Sequence, residues 1–189
     1  MGLEVVAQIS RGTCVAQRGY MRTLLGLSII LASAAAGAAP ARLAVTSDAF
    51  PVNGNIPVQY TCDGAARAPT LTWSAVPAGT RSIAILIEDA DAARGPFTHM
   101  MITNVSPTRT SVDLGAALPR DASAARNDNG TTDYLAPCPE DGVHHYHYRV
   151  FALDARVSRG PATREGFLRG IEGHVLAEGD LVGVYEARR

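Results

Sequence analysis

Ser82-Ile83-Ala84-Ile85-Leu86-Ile87-Glu88-Asp89-Ala90-Asp91-Ala92-Ala93-Arg94-Gly95-Pro96-Phe97-Thr98-His99 is the stretch whose reading decides the fold. From Ser82 to Glu88 apolar side chains fill both alternating faces, Ile83, Ile85 and Ile87 on one and Ala84 and Leu86 on the other. A strand with that pattern sits between two layers, not at an edge facing water. It delivers two carboxylates into a turn. The chain then returns with a histidine at the head of a second β-rich run, Thr98 to Val105.

Working outward, further strands are predicted at Ile56 to Thr61, Leu71 to Trp73, Tyr146 to Leu153 and Asp180 to Glu186. Asn53-Gly54 and Asp63-Gly64 bound the first of these as turns, and Pro77-Ala78-Gly79 follows the second. Ser106 to Gly142 is rich in Pro, Asp, Asn, Ala and Gly and reads as a long ordered loop, with a tight turn at Asn129-Gly130. One helix is predicted from an N-cap at Thr163 to about Glu178, with Phe167, Leu168, Ile171, Val175 and Leu176 on one face. Gly166, Gly170 and Gly173 make that helix dependent on packing. The fold class expected is mainly β, a sandwich of antiparallel sheets with a C-terminal helix, and no repeat or second domain is visible.

The N-terminus bears on location. Met21-Arg22, the apolar run Leu24 to Leu31 and the small residues Ala34 to Ala39 make the three parts of a secretory signal, read here as residues 21–38. The run is shorter than the roughly 20 residues that span a bilayer. Residues 1–20 have no periodicity and read as an upstream extension or a disordered leader. The mature chain is then 39–189, one domain, exported to the periplasm or secreted, with no transmembrane anchor after processing. Residues 1–38 hold Arg11, Arg18 and Arg22 against Glu4, so 17 basic and 18 acidic residues become 14 and 17, a formal charge of −3. No clustered basic face suggests nucleic acid. The sequence has no Lys, which excludes Schiff-base and P-loop chemistry. Cys62 and Cys138 remain as an even pair, expected to form a disulfide in an oxidising compartment, the alternative being two buried thiols.

The second chemical segment is Ala136-Pro137-Cys138-Pro139-Glu140-Asp141-Gly142-Val143-His144-His145-Tyr146. Strand alternation puts His144, Tyr146 and Tyr148 on one face and His145 and His147 on the other. Read alone, Asp89 and Asp91 are turn residues that end a strand, and His99 is a core histidine.

Together the two segments resemble the signatures of the phosphatidylethanolamine-binding and Raf-kinase-inhibitor-like family, in its bacterial branch. The resemblance extends through Tyr60-Thr61-Cys62-Asp63-Gly64, Leu71-Thr72-Trp73-Ser74, Pro77-Ala78-Gly79-Thr80 and Gly173-His174-Val175-Leu176-Ala177-Glu178. It implies a small anion pocket in which Asp89 and Asp91 form the acidic turn, His99 heads a strand, and Pro137, His144 and Tyr146 make the second wall. Such a pocket would take phosphate-like or carboxylate groups, including a phospholipid head group, with no cofactor and no catalytic residue. The sequence departs from the family pattern at Ala90, Ala93, Met100, Ala136, Glu140 and His145, so a pocket of altered shape is expected.

Three other readings stand beside this one. His145 and His147 with Asp141 form a sparse metal set. A hydrolase could use His99 or His144 as base, but no Gly-x-Ser-x-Gly elbow is present. A regulator of an extracytoplasmic protease or kinase-type partner, with a vestigial pocket, is the third. His174 reads as a packing or capping residue of the helix.

Overall fold

The computed structural model describes residues 39–157 and 162–186. The leader and signal segments, 1–20 and 21–38, lie outside the described residues.

The doubly apolar strand is the middle of the architecture. Ser82–Asp89 (β5) is buried at every position, flanked antiparallel by Phe97–Val105 (β6) and Val143–Leu153 (β9). Val175–Glu186 (β10) pairs with β9, and Ser123–Ala125 (β8) with β6. Ala41–Arg42 (β1) and Gly54–Asn55 (β3) both add to β10. A second sheet contains Val45–Thr46 (β2), Thr70–Trp73 (β4) and Ser111–Asp113 (β7).

Ile83, Ile85 and Ile87 face a core shared with Leu71, Trp73 and Val112 of the small sheet. Ala84 and Leu86 face Phe167 and Ile171 of the helix Arg164–Ile171 (α1). The layers are therefore small sheet, large sheet, helix. Each buried isoleucine contributes on the order of 2 kcal/mol through apolar area withdrawn from water.

Four expectations need correction. The large sheet is mixed, because β1 and β3 run parallel to β10. Ile56 to Thr61 is not a strand. The Ile56 amide bonds Val184, then Pro57 supplies no N–H and the chain coils into a short 3-10 turn at Val58–Tyr60. The helix is capped as predicted, with Thr163 Oγ1 accepting from the Gly166 amide at 3.1 Å, but it stops at Ile171. Gly173 follows with φ 77°, the left-handed stop favoured by glycine, and Val175 and Leu176 open β10 instead. The 106–142 region is not all loop, since it contains β7 and β8.

Within that region Asn127 acts as a hub. Its buried side chain accepts from the Asn129 and Thr131 amides and donates to the Asp133 and His99 carbonyls. The predicted Asn129-Gly130 turn forms there, with Gly130 at φ 82° and its amide bonding the Asn127 carbonyl.

Candidate ligand-binding site

Asp89 ends β5 on the side of Ile87, and in register opposite it on β9 stands Tyr146. His144, two residues before Tyr146, shares that face. Its Nδ1 lies 2.7 Å from Asp89 Oδ2, with both groups buried. The other Asp89 oxygen accepts from the Asp91 amide at 2.9 Å, so the turn itself orients the carboxylate.

His99 arrives by a backbone irregularity. Ile87 pairs with Met100 and Glu88 with Thr98, which leaves His99 as the extra residue of a β-bulge. The bulge leaves two successive residues, His99 and Met100, both on the inner side of the sheet. Met100 stays in the core, and the His99 ring meets Tyr146 edge-on at 5.3 Å between centroids. His99 Nδ1–H donates to the Leu135 carbonyl at 2.8 Å. Burial holds the His99 pKa below the ordinary histidine value, opposed by the Leu135 bond and by Asp89 and Asp128. The ring is therefore neutral at neutral pH.

The segment opposite is tied down covalently. Cys62 and Cys138 form a disulfide across 76 residues, with Cα atoms 5.3 Å apart, and the Cys62 amide also bonds the Pro137 carbonyl. Between these walls lies an open cleft of about 770 Å³, within the range of small-ligand sites. Asp89, His99 and His144 line its interior and Asp91 its rim, together with Arg94, Glu140 and Asp141. A second cavity of about 690 Å³, lined by Arg67, Asp113 and Asp133 among others, adjoins it across Ala66 and Tyr134.

The anticipated residues thus divide. Asp89, His99 and His144 come together inside the cleft. Asp91 reaches its rim but is engaged from behind: its Oδ2 accepts from the His145 amide at 2.8 Å and from His145 Nδ1 at 2.7 Å. Those bonds hold the Asp91 pKa below the usual carboxylate value. Pro137 and Tyr146 do not line the cleft. Pro137 is buried in the wall, and Tyr146 lies fully buried beside the two imidazoles. Burial, then the neighbouring Asp89, pushes the Tyr146 phenol up, so it stays protonated. Its hydroxyl faces Asp89 and the Cys138 amide without a well-formed bond.

The two histidines considered for a metal are each engaged by a different carboxylate. His145 is held by Asp91, and His147 by Asp180 at 2.7 Å. His174 lies beyond the helix and pairs with Asp154 at 2.8 Å, correcting its placement within the helix. Sequence reading missed Leu135 as the His99 partner, Arg94 on the rim and Tyr134 between the cavities. Leu135 and Tyr134 carry no spacing signal because they come from a distant part of the chain, whereas Arg94 stands within the acidic turn itself as an exposed arginine.

Known proteins share this fold and sequence pattern. Residues 46–186 match the family described as phosphatidylethanolamine-binding protein. A UPF0098 protein of Methanothermobacter thermautotrophicus is 40% identical over 142 residues, covering 72% of this chain and 94% of that protein. Mycobacterium tuberculosis LppC, named as a candidate lipoprotein, is 34% identical over 147 residues, covering 76% of this chain and 72% of LppC. Among solved structures, a phosphatidylethanolamine-binding protein homologue from Chlamydia trachomatis superposes with TM-score 0.71 at 32% identity, covering 78% of this chain and 99% of that one. Escherichia coli YbcL, described as a member of the mammalian family, gives TM-score 0.72 at 28% identity, with 78% and 100% covered. The matched span takes in both site segments and every layer of the fold, and the chain belongs to the phosphatidylethanolamine-binding protein family.

Proposed function

We propose that the protein is an exported binder of a small phosphate- or carboxylate-bearing ligand, free or as a phospholipid head group, and that it is not an enzyme. The observation that carries this reading is the convergence of His144, backed by buried Asp89, with His99 in one cleft of ligand size. The rim carries Arg94 with Glu140 and Asp141, charges of both signs that suit a ligand bearing an amine as well as an anion.

An Asp–His pair can also serve a general base. The reading favours binding because the cysteines lining the cleft are joined to each other and offer no thiolate. Export is supported by that disulfide, by the signal-like segment and by a relative named as a candidate lipoprotein. Any protein partner is then extracytoplasmic.

The test is a titration of the purified protein with phosphate, phosphoethanolamine and acetate, comparing wild type with His144→Gln, and a parallel assay of ester and phosphoester turnover. Saturable binding of one anion, lost in a folded variant and without turnover, is expected. Steady turnover abolished in the variant would make the site catalytic. A folded wild type that binds none of the three would move the function to a protein interface.

A further inference from the structure

Both imidazoles that line the cleft have their Nδ1 committed. His99 Nδ1 lies 2.8 Å from the Leu135 carbonyl and His144 Nδ1 2.7 Å from the Asp89 carboxylate. A carbonyl oxygen and an ionised carboxylate only accept, so each Nδ1 carries the hydrogen. A neutral imidazole has one N–H, and the other nitrogen is then a lone pair. The Nε2 of each ring makes no hydrogen bond among the described residues, and both rings line the cleft. A lone pair at His99 Nε2, with the Asp89 carboxylate close behind His144, makes a poor receptor for a fully ionised anion.

From this arrangement we infer that the cleft binds its oxyanion together with one proton, either as a singly protonated acid whose O–H donates to an imidazole Nε2, or by protonation of that Nε2 from solvent as a fully ionised anion enters. The inference rests on the oxyanion reading of the cleft and adds the protonation state that the site selects. No other bond is made or broken, and the proton comes from water or buffer.

The surroundings fit. The Leu135 carbonyl, Asp89 and Asp128 favour a proton on His99 against burial, and burial dominates. A bound anion adds negative charge on the cleft side and moves that balance toward the proton. Around His144 stand Asp89 and the protonated Tyr146. On the rim, Asp91 is held by His145, Arg94 supplies a fixed positive charge, and Glu140 and Asp141 supply negative ones. His147 belongs to the opposite face, with Asp180.

Calorimetric titrations with phosphoethanolamine and with sulfate, from about pH 7 to about pH 9, in buffers of contrasting ionisation heat, test this. One proton taken up per ligand makes affinity fall about tenfold per pH unit and adds a buffer-dependent heat. Sulfate carries no titratable proton in this range. A fall for both ligands puts the proton on an imidazole, and His99→Gln or His144→Gln should flatten it. A fall for phosphoethanolamine with sulfate excluded puts the proton on the ligand. Both results agree with the inference. Flat affinity for whichever anion binds, with no buffer-dependent heat, overturns the inference and leaves the oxyanion site standing. Failure of a folded protein to bind either anion overturns both.

Discussion

On β9 the same chemical pair occurs on both faces of the sheet. His144 meets Asp89 at 2.7 Å on the inner face, and His147 meets Asp180 at 2.7 Å on the outer one. Distance does not separate them; water does. The inner side chains are 11% and 7% exposed, the outer 28% and 39%. Outside, the partner carboxylate holds the His147 pKa above the ordinary value, and solvent shares the charge. Inside, the pair has little solvent except what enters the cleft, so an incoming ligand takes over the role of water. Glu88 and Asp89, one residue apart and equally buried, differ instead in their partners. Glu88 turns outward to permanent cations, Arg164 at 2.5 Å and Arg149 at 3.4 Å. Asp89 turns inward to a group that can change its charge.

The contrast can be broken in graded steps. The largest effect is expected from Cys62→Ser with Cys138→Ser, because the inner pair lies behind a wall that the disulfide holds and the outer pair does not. Releasing a loop of this length costs about 4 kcal/mol in the chain-entropy model. Urea unfolding should report that loss, while the His147 titration stays unchanged. Next, His144→Ala leaves Asp89 buried without its partner and should cost on the order of 3 kcal/mol, with His144→Gln milder because it retains a donor. Third, His99 has a lowered pKa, so the unfolded chain binds its proton more readily. Its contribution should destabilise the fold progressively as pH falls from about 6.5, and His99→Gln should remove that part of the acid limb. The smallest effect is expected from Asp180→Asn. Because the His147 pKa is raised, the stabilisation is fully present below the unfolded value of about 6.5 and vanishes as pH rises through the folded value. Thermal melts at acid and alkaline pH should differ by less than about 1 kcal/mol, since the pair is half-exposed.

Much of the scaffold was legible because it is written in local patterns. The two-faced apolar run of Ser82 to Glu88 gives the middle layer, and alternation along β9 separates His144 from His145 and His147 as the structure does. Two local features were misjudged. Pro57 breaks an apparent strand by removing a donor, and Gly173 ends the helix where the apolar stripe continues into β10. The site was legible only in its members. That Asp91 is held by His145 and His99 by Leu135 depends on contacts 54 and 36 residues apart, which no spacing announces. The bulge that aims His99 depends on register with β5, which is a property of the sheet and not of either strand.

The five histidines themselves offer the most direct test of the account. Long-range ¹H–¹⁵N spectra of the imidazoles, recorded while phosphoethanolamine is added to the folded protein, read every ring nitrogen separately. The account predicts that His99 and His144 shift together and saturate, with Nε2 moving more than Nδ1, while His147 and His174 stay in place. Saturable shifts at His147 or His174 with His99 and His144 unmoved, or no shift in any ring, would contradict it.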